Sequence, residues 1–187
     1  MRNRLGLAVM SMIVAVGLAA CESSSAPPPV STNWPLPADA SAAAQKAGLP
    51  MLSREMLEVH YHAHLDVIVR NTKITVPAGI GIDTQRQAIT ALHTHDTTGI
   101  VHIESEKDIP FTLGQFFTEW GQPLSAVEVG PVAATSDEQV RVYRNGKLVP
   151  GNPAALKLGA HDEIVVWMGP KDANPKVPSS YNFPANL

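Results

Sequence analysis

Histidines separated by two positions mark two short stretches of the chain, HYHAH at residues 60–64 and HTH at residues 93–95. In a helix, residues i and i+2 point in nearly opposite directions. In a strand they share one face, with Cα atoms roughly 6.6 Å apart. The spacing therefore brings imidazoles together only if both stretches are extended. It predicts two strands that each present a row of histidines, and so a sheet in this part of the chain.

The histidines are also concentrated in one part of the chain. Six of the seven fall within residues 60–102, where even scattering would place about 1.6. Two strand-spaced rows plus a third histidine are typical of a metal site, since neutral imidazoles are common ligands of transition metals. The candidate metal ligands are His60, His62, His64, His93, His95 and His102.

His102 is the conditional member of this set. If the loop between AITALHTHD and IVHIES has an even number of residues, His93 and His95 share a face with His102 and Glu104. A bulge at Gly99 would turn His102 to the opposite face. Both alternatives stay open at the level of sequence. Asp96 is interpreted as a residue that stabilises the DTTG turn, and His161 as an exposed turn residue.

The first twenty residues have the pattern of a signal peptide. Arg2 and Arg4 precede an apolar run of sixteen residues, 5–20, which is short for a membrane span. The run ends in LAAC, which resembles the lipobox of bacterial lipoproteins. That resemblance implies cleavage before Cys21 and attachment of fatty acyl chains, such as palmitate, to this cysteine. Acyl chains hold a protein to a membrane because each buried methylene contributes about 0.8 kcal/mol.

The expected location is the cell envelope, with the protein anchored in a membrane and facing the periplasm or the cell exterior. Glu22 follows the cysteine, and it is not the aspartate linked to retention at the inner membrane. The outer membrane is therefore the expected destination where there is one. Cys21 is the only cysteine, which excludes internal disulfides and thiolate metal ligands. A net charge of −3 does not favour nucleic-acid binding.

Composition divides the rest of the chain into three parts. Residues 21–41, with the lipidated cysteine, are rich in Ser, Pro and Ala and are predicted to form a tether. Residues 42–170 are sufficient for a single globular domain. Residues 171–187 are rich in Pro and Asn and are predicted to be a tail that wraps the surface or stays loose.

Within the domain, turn and capping residues predict the order of elements. A hairpin is expected in HLDVIVRNTKITV, with a tight turn at Asn71-Thr72, and a second one around Asn145-Gly146. Helices are expected over residues 42–47 and between Thr112 and Gly121. A β-branched strand covers residues 164–168. The pattern predicts an α+β fold with one main helix on a small antiparallel or mixed sheet.

Two resemblances add to this interpretation. The segment VYRNGKLVPGNPAALKLGAHDEIVVW resembles the last strands of β-grasp domains, which implies a β-grasp-like fold; a small β-barrel or sandwich is the alternative. HTHDTTGIVHIES, with VPAGIGI before it and FTLGQFFTEWG after it, resembles a family of exported bacterial proteins. That likeness runs from about His60 to Trp167 and implies no reaction, so function has to come from the residues.

Three functions fit these observations. The first is a lipid-anchored protein that binds copper or zinc, the metals favoured by imidazoles without thiolates in an exported protein. The second is a metal-dependent hydrolase or oxygenase, with Glu104 or Asp96 as general base and a metal-bound water. The third is a non-catalytic interaction module of the envelope with a structural histidine network. HExxH, GxSxG and P-loop motifs are absent from the sequence, so catalytic residues and a protein partner stay unassigned.

Overall fold

A computed structural model of the chain describes residues 28–55 and 58–187. The predicted signal peptide, Cys21 and the first part of the predicted tether lie outside these residues. The described residues form two α-helices, eleven strands and a short 3-10 helix. Their bounds are α1 Ala40–Ala47, β1 Val59–Val69, β2 Thr72–Ile74, β3 Ile82–Asp83, β4 Ala88–Ile89, β5 Leu92–His93, β6 Ile100–Ser105, α2 Leu113–Glu119, β7 Glu128–Val129, β8 Val132–Ala133, β9 Glu138–Arg144, β10 Lys147–Val149, the 3-10 helix Pro153–Ala155 and β11 Glu163–Pro170.

Seven strands form the main sheet, in the order β10-β9-β11-β1-β6-β5, and β2 pairs with the far end of β1. β1 and β11 run parallel, and the other pairs in this sheet are antiparallel. The sheet is therefore mixed, and the fold is α+β as predicted. Among the described residues the strand path does not close into a barrel. Two central parallel strands, each continued by an outer hairpin, give the sheet its β-grasp-like arrangement.

One face of the sheet packs against the helices and forms the main core. Alternate residues of β1, β6 and β11 point to this side, and α2 supplies two aromatic side chains, Phe116 and Phe117. Burying a large apolar side chain contributes about 1.5–3 kcal/mol, so this face provides most of the stabilisation. Its fully buried large side chains include Leu65, Ile103, Phe116, Phe117, Trp120 and Ile164.

Local signals fix both helices. Thr112 caps α2: its hydroxyl accepts from the amide of Gln115, whose side chain accepts in return from the amide of Thr112. α1 starts two residues before the predicted position, because the carboxylate of Asp39 caps it, and it ends at Gly48 with φ 72°. Within the described residues, neither helix combines the length and apolar character needed to span a bilayer.

The hairpin turns follow from positive φ angles. Asn145 and Gly146 have φ of 52° and 75°, which confirms the predicted turn between β9 and β10. The turn after β1 lies at Arg70-Asn71 instead of Asn71-Thr72, because Val69 pairs with Thr72. A shift of this kind leaves the predicted apolar face unchanged, and Ile74 still lies opposite Val67 in the core.

The folded unit extends beyond residues 42–170 at both ends. Trp34 is buried in the main core, with its ring 5.5 Å from that of Trp120. At the other end, the tail packs across the second face of the sheet, where Ala173 and Val177 contact the cluster of Tyr143, Val165 and Trp167. The tail thus wraps the surface, which is one of the two predicted possibilities. It covers one end of the second face, and the histidines occupy the other.

Gly99 directly precedes β6, the strand that carries His102. Replacing this glycine is expected to destabilise the protein. Its φ is 91°, its carbonyl accepts from the amide of Leu65, and an added Cβ would lie 2.7 Å from the carbonyl oxygen of Leu65. We expect Gly99→Ala to lower the free energy of unfolding by roughly 2–3 kcal/mol in urea titrations of the full-length chain in detergent.

Gly48→Ala is the matched control for this measurement. Its φ is also positive, at 72°, but an added Cβ there meets nothing within 4 Å. Gly48→Ala therefore introduces backbone strain without a steric clash, and we expect it to lower the free energy of unfolding by about 1 kcal/mol. An equal or smaller loss in Gly99→Ala would contradict the close approach between Gly99 and Leu65.

Candidate metal centre

Strand pairing places the histidine rows side by side on the second face of the sheet. β1 and β6 pair antiparallel, with His60 opposite Glu104 and His62 opposite His102. β5 and β6 continue the sheet, with His93 opposite His102. Directly opposed residues of paired strands share a face. His102 therefore points to the same side as His62 and His93, which resolves the alternative that the sequence left open.

Four ligand atoms from β1 and β6 form a ring. The Nε2 atoms of His60 and His62 are 3.2 Å apart, and Nε2 of His62 lies 3.1 Å from Nδ1 of His102. Oε1 of Glu104 closes the ring, at 3.4 Å from Nε2 of His60 and 3.4 Å from Nδ1 of His102. Metal bonds of 2.0–2.1 Å in a tetrahedral site place neighbouring ligand atoms roughly 3.3–3.4 Å apart. The ring therefore has the dimensions of a four-ligand metal site.

A second group of donors adjoins this ring. The imidazole centroids of His93 and His95 are 4.8 Å apart, and that of His95 lies 4.6 Å from the centroid of His102. Nε2 of His95 is 3.4 Å from Oε1 of Glu55, which precedes β1. Nε2 of His93 is 3.8 Å from Oε1 of Glu104. His93, Glu55 and Glu104 offer ligand atoms that all lie within 4.8 Å of one another.

Two buried polar atoms in these groups have no hydrogen-bond partner. His93 is fully buried, and its Nδ1 lies 3.0 Å from the carbonyl oxygen of Thr90, to which it donates. This hydrogen bond leaves Nε2 of His93 with a lone pair and no partner. Oε2 of Glu104 is likewise buried and unpartnered. Buried polar groups are rarely left unpaired in proteins, so both atoms indicate a place for a ligand.

His62, His93 and His102 carry no proton near neutral pH. Burial, together with the neighbouring His60, lowers the pKa of His62 to about 4. Burial also lowers the pKa of His102 to about 4 and that of His93 to about 3. For Glu104, burial raises the pKa of the carboxyl group. A neutral imidazole presents the lone pair that a metal needs, so protons do not compete with a cation for these nitrogens.

His64 lies on the same face but takes no part in the ring. Its Nδ1 is 2.7 Å from Oε2 of Glu163, and its Nε2 is 3.0 Å from the carbonyl oxygen of Thr98. Tyr181 of the tail stacks on its ring with a centroid distance of 3.7 Å. Although His64, Asp66 and Glu163 are close enough to form a separate group, both nitrogens of His64 already face oxygen acceptors. This histidine holds the tail and the two central strands together.

The structure thus brings five of the six predicted ligands into one patch and places His64 apart. Asp96 accepts hydrogen bonds from the amide and hydroxyl groups of Thr98, in keeping with the predicted turn role. His161 is exposed in a turn. Two carboxylates that the sequence analysis did not include among the candidate ligands, Glu104 and Glu55, also lie in this patch. Glu104 follows His102 at the same two-residue spacing, a signal that could have found it, whereas Glu55 has none. We call the ring of His60, His62, His102 and Glu104 the first group, and His93, His95 and Glu55 the second group.

Comparisons with known proteins do not assign a function to these side chains. No family model, no curated protein and no solved structure matches the chain. The function is therefore argued from the side chains themselves.

Proposed function

We propose that this chain is a lipid-anchored protein of the bacterial cell envelope that binds a divalent zinc or copper ion. One observation carries the proposal. Four ligand atoms of the first group, from two strands that are distant in sequence, lie 3.1–3.4 Å from their neighbours in a closed ring. A single metal ion shared by these four atoms accounts for their convergence, because imidazole nitrogens and carboxylate oxygens are common ligands of zinc and copper.

The donor chemistry supports zinc or copper(II) over other metals. Three imidazole nitrogens and one carboxylate oxygen suit metals of intermediate softness, whereas magnesium and calcium prefer oxygen ligands alone. The carboxylate also supplies one negative charge to a cation that enters a partly buried site. Cys21, the one cysteine of the chain, lies in the lipobox sequence, so no thiolate from the domain competes for the metal.

The arrangement favours holding a metal over catalysis. Four protein ligands fill the coordination of a zinc ion, whereas catalytic zinc sites keep a position open for water. Part of the rim is nevertheless accessible, because the side chain of His60 is 39% exposed and that of His95 is 44% exposed. An ion can therefore enter and leave from the solvent, as a protein that captures or delivers metal requires.

Calorimetric titration of the metal-stripped, full-length chain in detergent tests this proposal. We expect zinc or copper(II) to bind with a dissociation constant well below about 1 µM. Separate titrations with the two ions identify the preferred metal, and magnesium serves as the negative control. Binding of neither ion more tightly than about 1 µM would contradict the proposal.

The membrane anchor is tested independently of the metal. The lipobox LAAC at residues 18–21 supports acylation of Cys21. We expect labelled palmitate to enter the wild-type protein in growing bacteria and to be lost in Cys21→Ala. The variant should still bind metal, because Cys21 is remote in sequence from the histidine face. Label that persists in the variant would contradict the assignment of the anchor.

A further inference from the structure

The second group of donors next to the ring has no role if the protein holds a single ion. His93 directs a buried, unpartnered Nε2 toward Glu104. The hydrogen bond from its Nδ1 to the carbonyl of Thr90 fixes the imidazole of His93 in that orientation. His95 and Glu55 complete the group from the solvent side, with 3.4 Å between Nε2 and Oε1. Glu55, His93 and Glu104 offer ligand atoms that all lie within 4.8 Å of one another, and His95 lies beside Glu55.

Glu104 belongs to both sets of donors. Its Oε1 closes the ring with His60 and His102, while its Oε2 is buried without a partner. It also lies within 4.8 Å of the ligand atoms of His93 and Glu55. A carboxylate has two oxygens and can bind one metal ion through each. In two-metal sites of proteins the ions lie about 3.5–4 Å apart, a separation that a bridging carboxylate spans.

The number of donors exceeds what one ion can take. The first group already offers four ligands, which is the usual complement of zinc. The second group offers three more from a different strand and a preceding segment, and the carboxylate of Glu104 lies between the two. We propose that the site binds two divalent zinc or copper ions, one in each group, with Glu104 as the bridging ligand. This inference rests on the proposed metal binding and specifies its stoichiometry.

The number of zinc ions bound per chain distinguishes the two-ion site from metal binding as such. The full-length chain in detergent is saturated with zinc, separated from free ion and analysed for bound metal per chain. We expect two zinc ions in the wild-type protein. One ion would overturn the two-ion site and leave the proposed function standing, whereas no bound ion would overturn both.

His60→Ala and His95→Ala form a matched pair of variants. Both side chains lie at the exposed rim, and each belongs to only one group, so neither change removes a core residue. We expect each variant to retain one tightly bound zinc ion and to lose the other. If His95→Ala still holds two ions, the second ion lies elsewhere in the chain and the proposal is wrong.

Copper(II) gives a spectroscopic readout of the bridge. Two copper ions joined by one carboxylate couple magnetically, so the electron paramagnetic resonance signal of the fully loaded wild-type protein should be broadened or weakened. Each single-ion variant should instead give the full signal of an isolated copper ion. Two uncoupled signals in the wild-type protein would show that Glu104 does not bridge the ions.

Discussion

Replacement of His62 by alanine is expected to weaken binding of the ion in the first group by at least about 100-fold. His62 sits in the middle of the ring, at 3.2 Å from the donor atom of His60 and 3.1 Å from that of His102. Loss of a residue that only supports a metal ligand typically costs 10- to 100-fold in affinity, so loss of a ligand should reach the upper end or exceed it. Competition titrations against a chelator of known affinity measure the change.

His161→Asn is the control for this experiment. His161 is an exposed histidine with φ of 55°, a backbone conformation that asparagine tolerates, and it lies outside both donor groups. The control variant should bind metal as the wild type does. Circular dichroism of the metal-free proteins separates loss of a ligand from loss of the fold. A folded His62→Ala variant that binds zinc or copper as tightly as the wild type would rule out the proposed ring.

Glu119→Gln is expected to stabilise the protein at neutral pH by up to about 3 kcal/mol. Glu119 lies in α2, is 2% exposed, and neither of its carboxyl oxygens has a hydrogen-bond partner. Burial raises the pKa of this carboxyl to about 8. The unfolded chain releases the proton above about pH 4.5, so the wild-type protein loses stability between about pH 4.5 and pH 8.

Urea unfolding across this pH range measures the effect, with Glu138→Gln as a control of opposite sign. The Arg70 guanidinium donates to the carboxylate of Glu138 and lowers its pKa to about 2, so Glu138→Gln should destabilise the protein at pH 7. For Glu119→Gln we expect a flatter dependence of stability on pH than in the wild type. Equal slopes for the two proteins would contradict a proton held on Glu119.

Much of the fold follows from local patterns. Asn145-Gly146 requires two positive φ angles and so specifies a two-residue hairpin, and Thr112 with Gln115 specifies where α2 begins. The turn after β1 lies one residue before the position that the sequence predicts. Of its two central residues, only Asn71 favours a positive φ. Arg70 adopts one, at 50°, since the pairing of Val69 with Thr72 requires it. Tertiary pairing overrides local preference at that position.

The candidate site likewise depends partly on local sequence and partly on tertiary pairing. Two-residue spacing predicts that histidines of one strand share a face, and the structure shows His60 and His62 doing so. The opposition of His102 to both His62 and His93 depends on strand register, which local sequence does not determine. His64 has the same spacing yet is held by Glu163, its partner 99 positions away, and by the tail. Likewise, Glu55 reaches His95 only through the folded arrangement.

Anomalous X-ray diffraction from crystals of the zinc-loaded protein determines whether an ion occupies the ring of His60, His62, His102 and Glu104. Data collected above and below the zinc absorption edge locate the ion without reference to any assumed ligand. We expect a peak within about 2.0–2.2 Å of Nε2 of His60, Nε2 of His62, Nδ1 of His102 and an oxygen of Glu104. A peak only beside His64 and Glu163, or no zinc peak on the histidine face, would contradict this expectation.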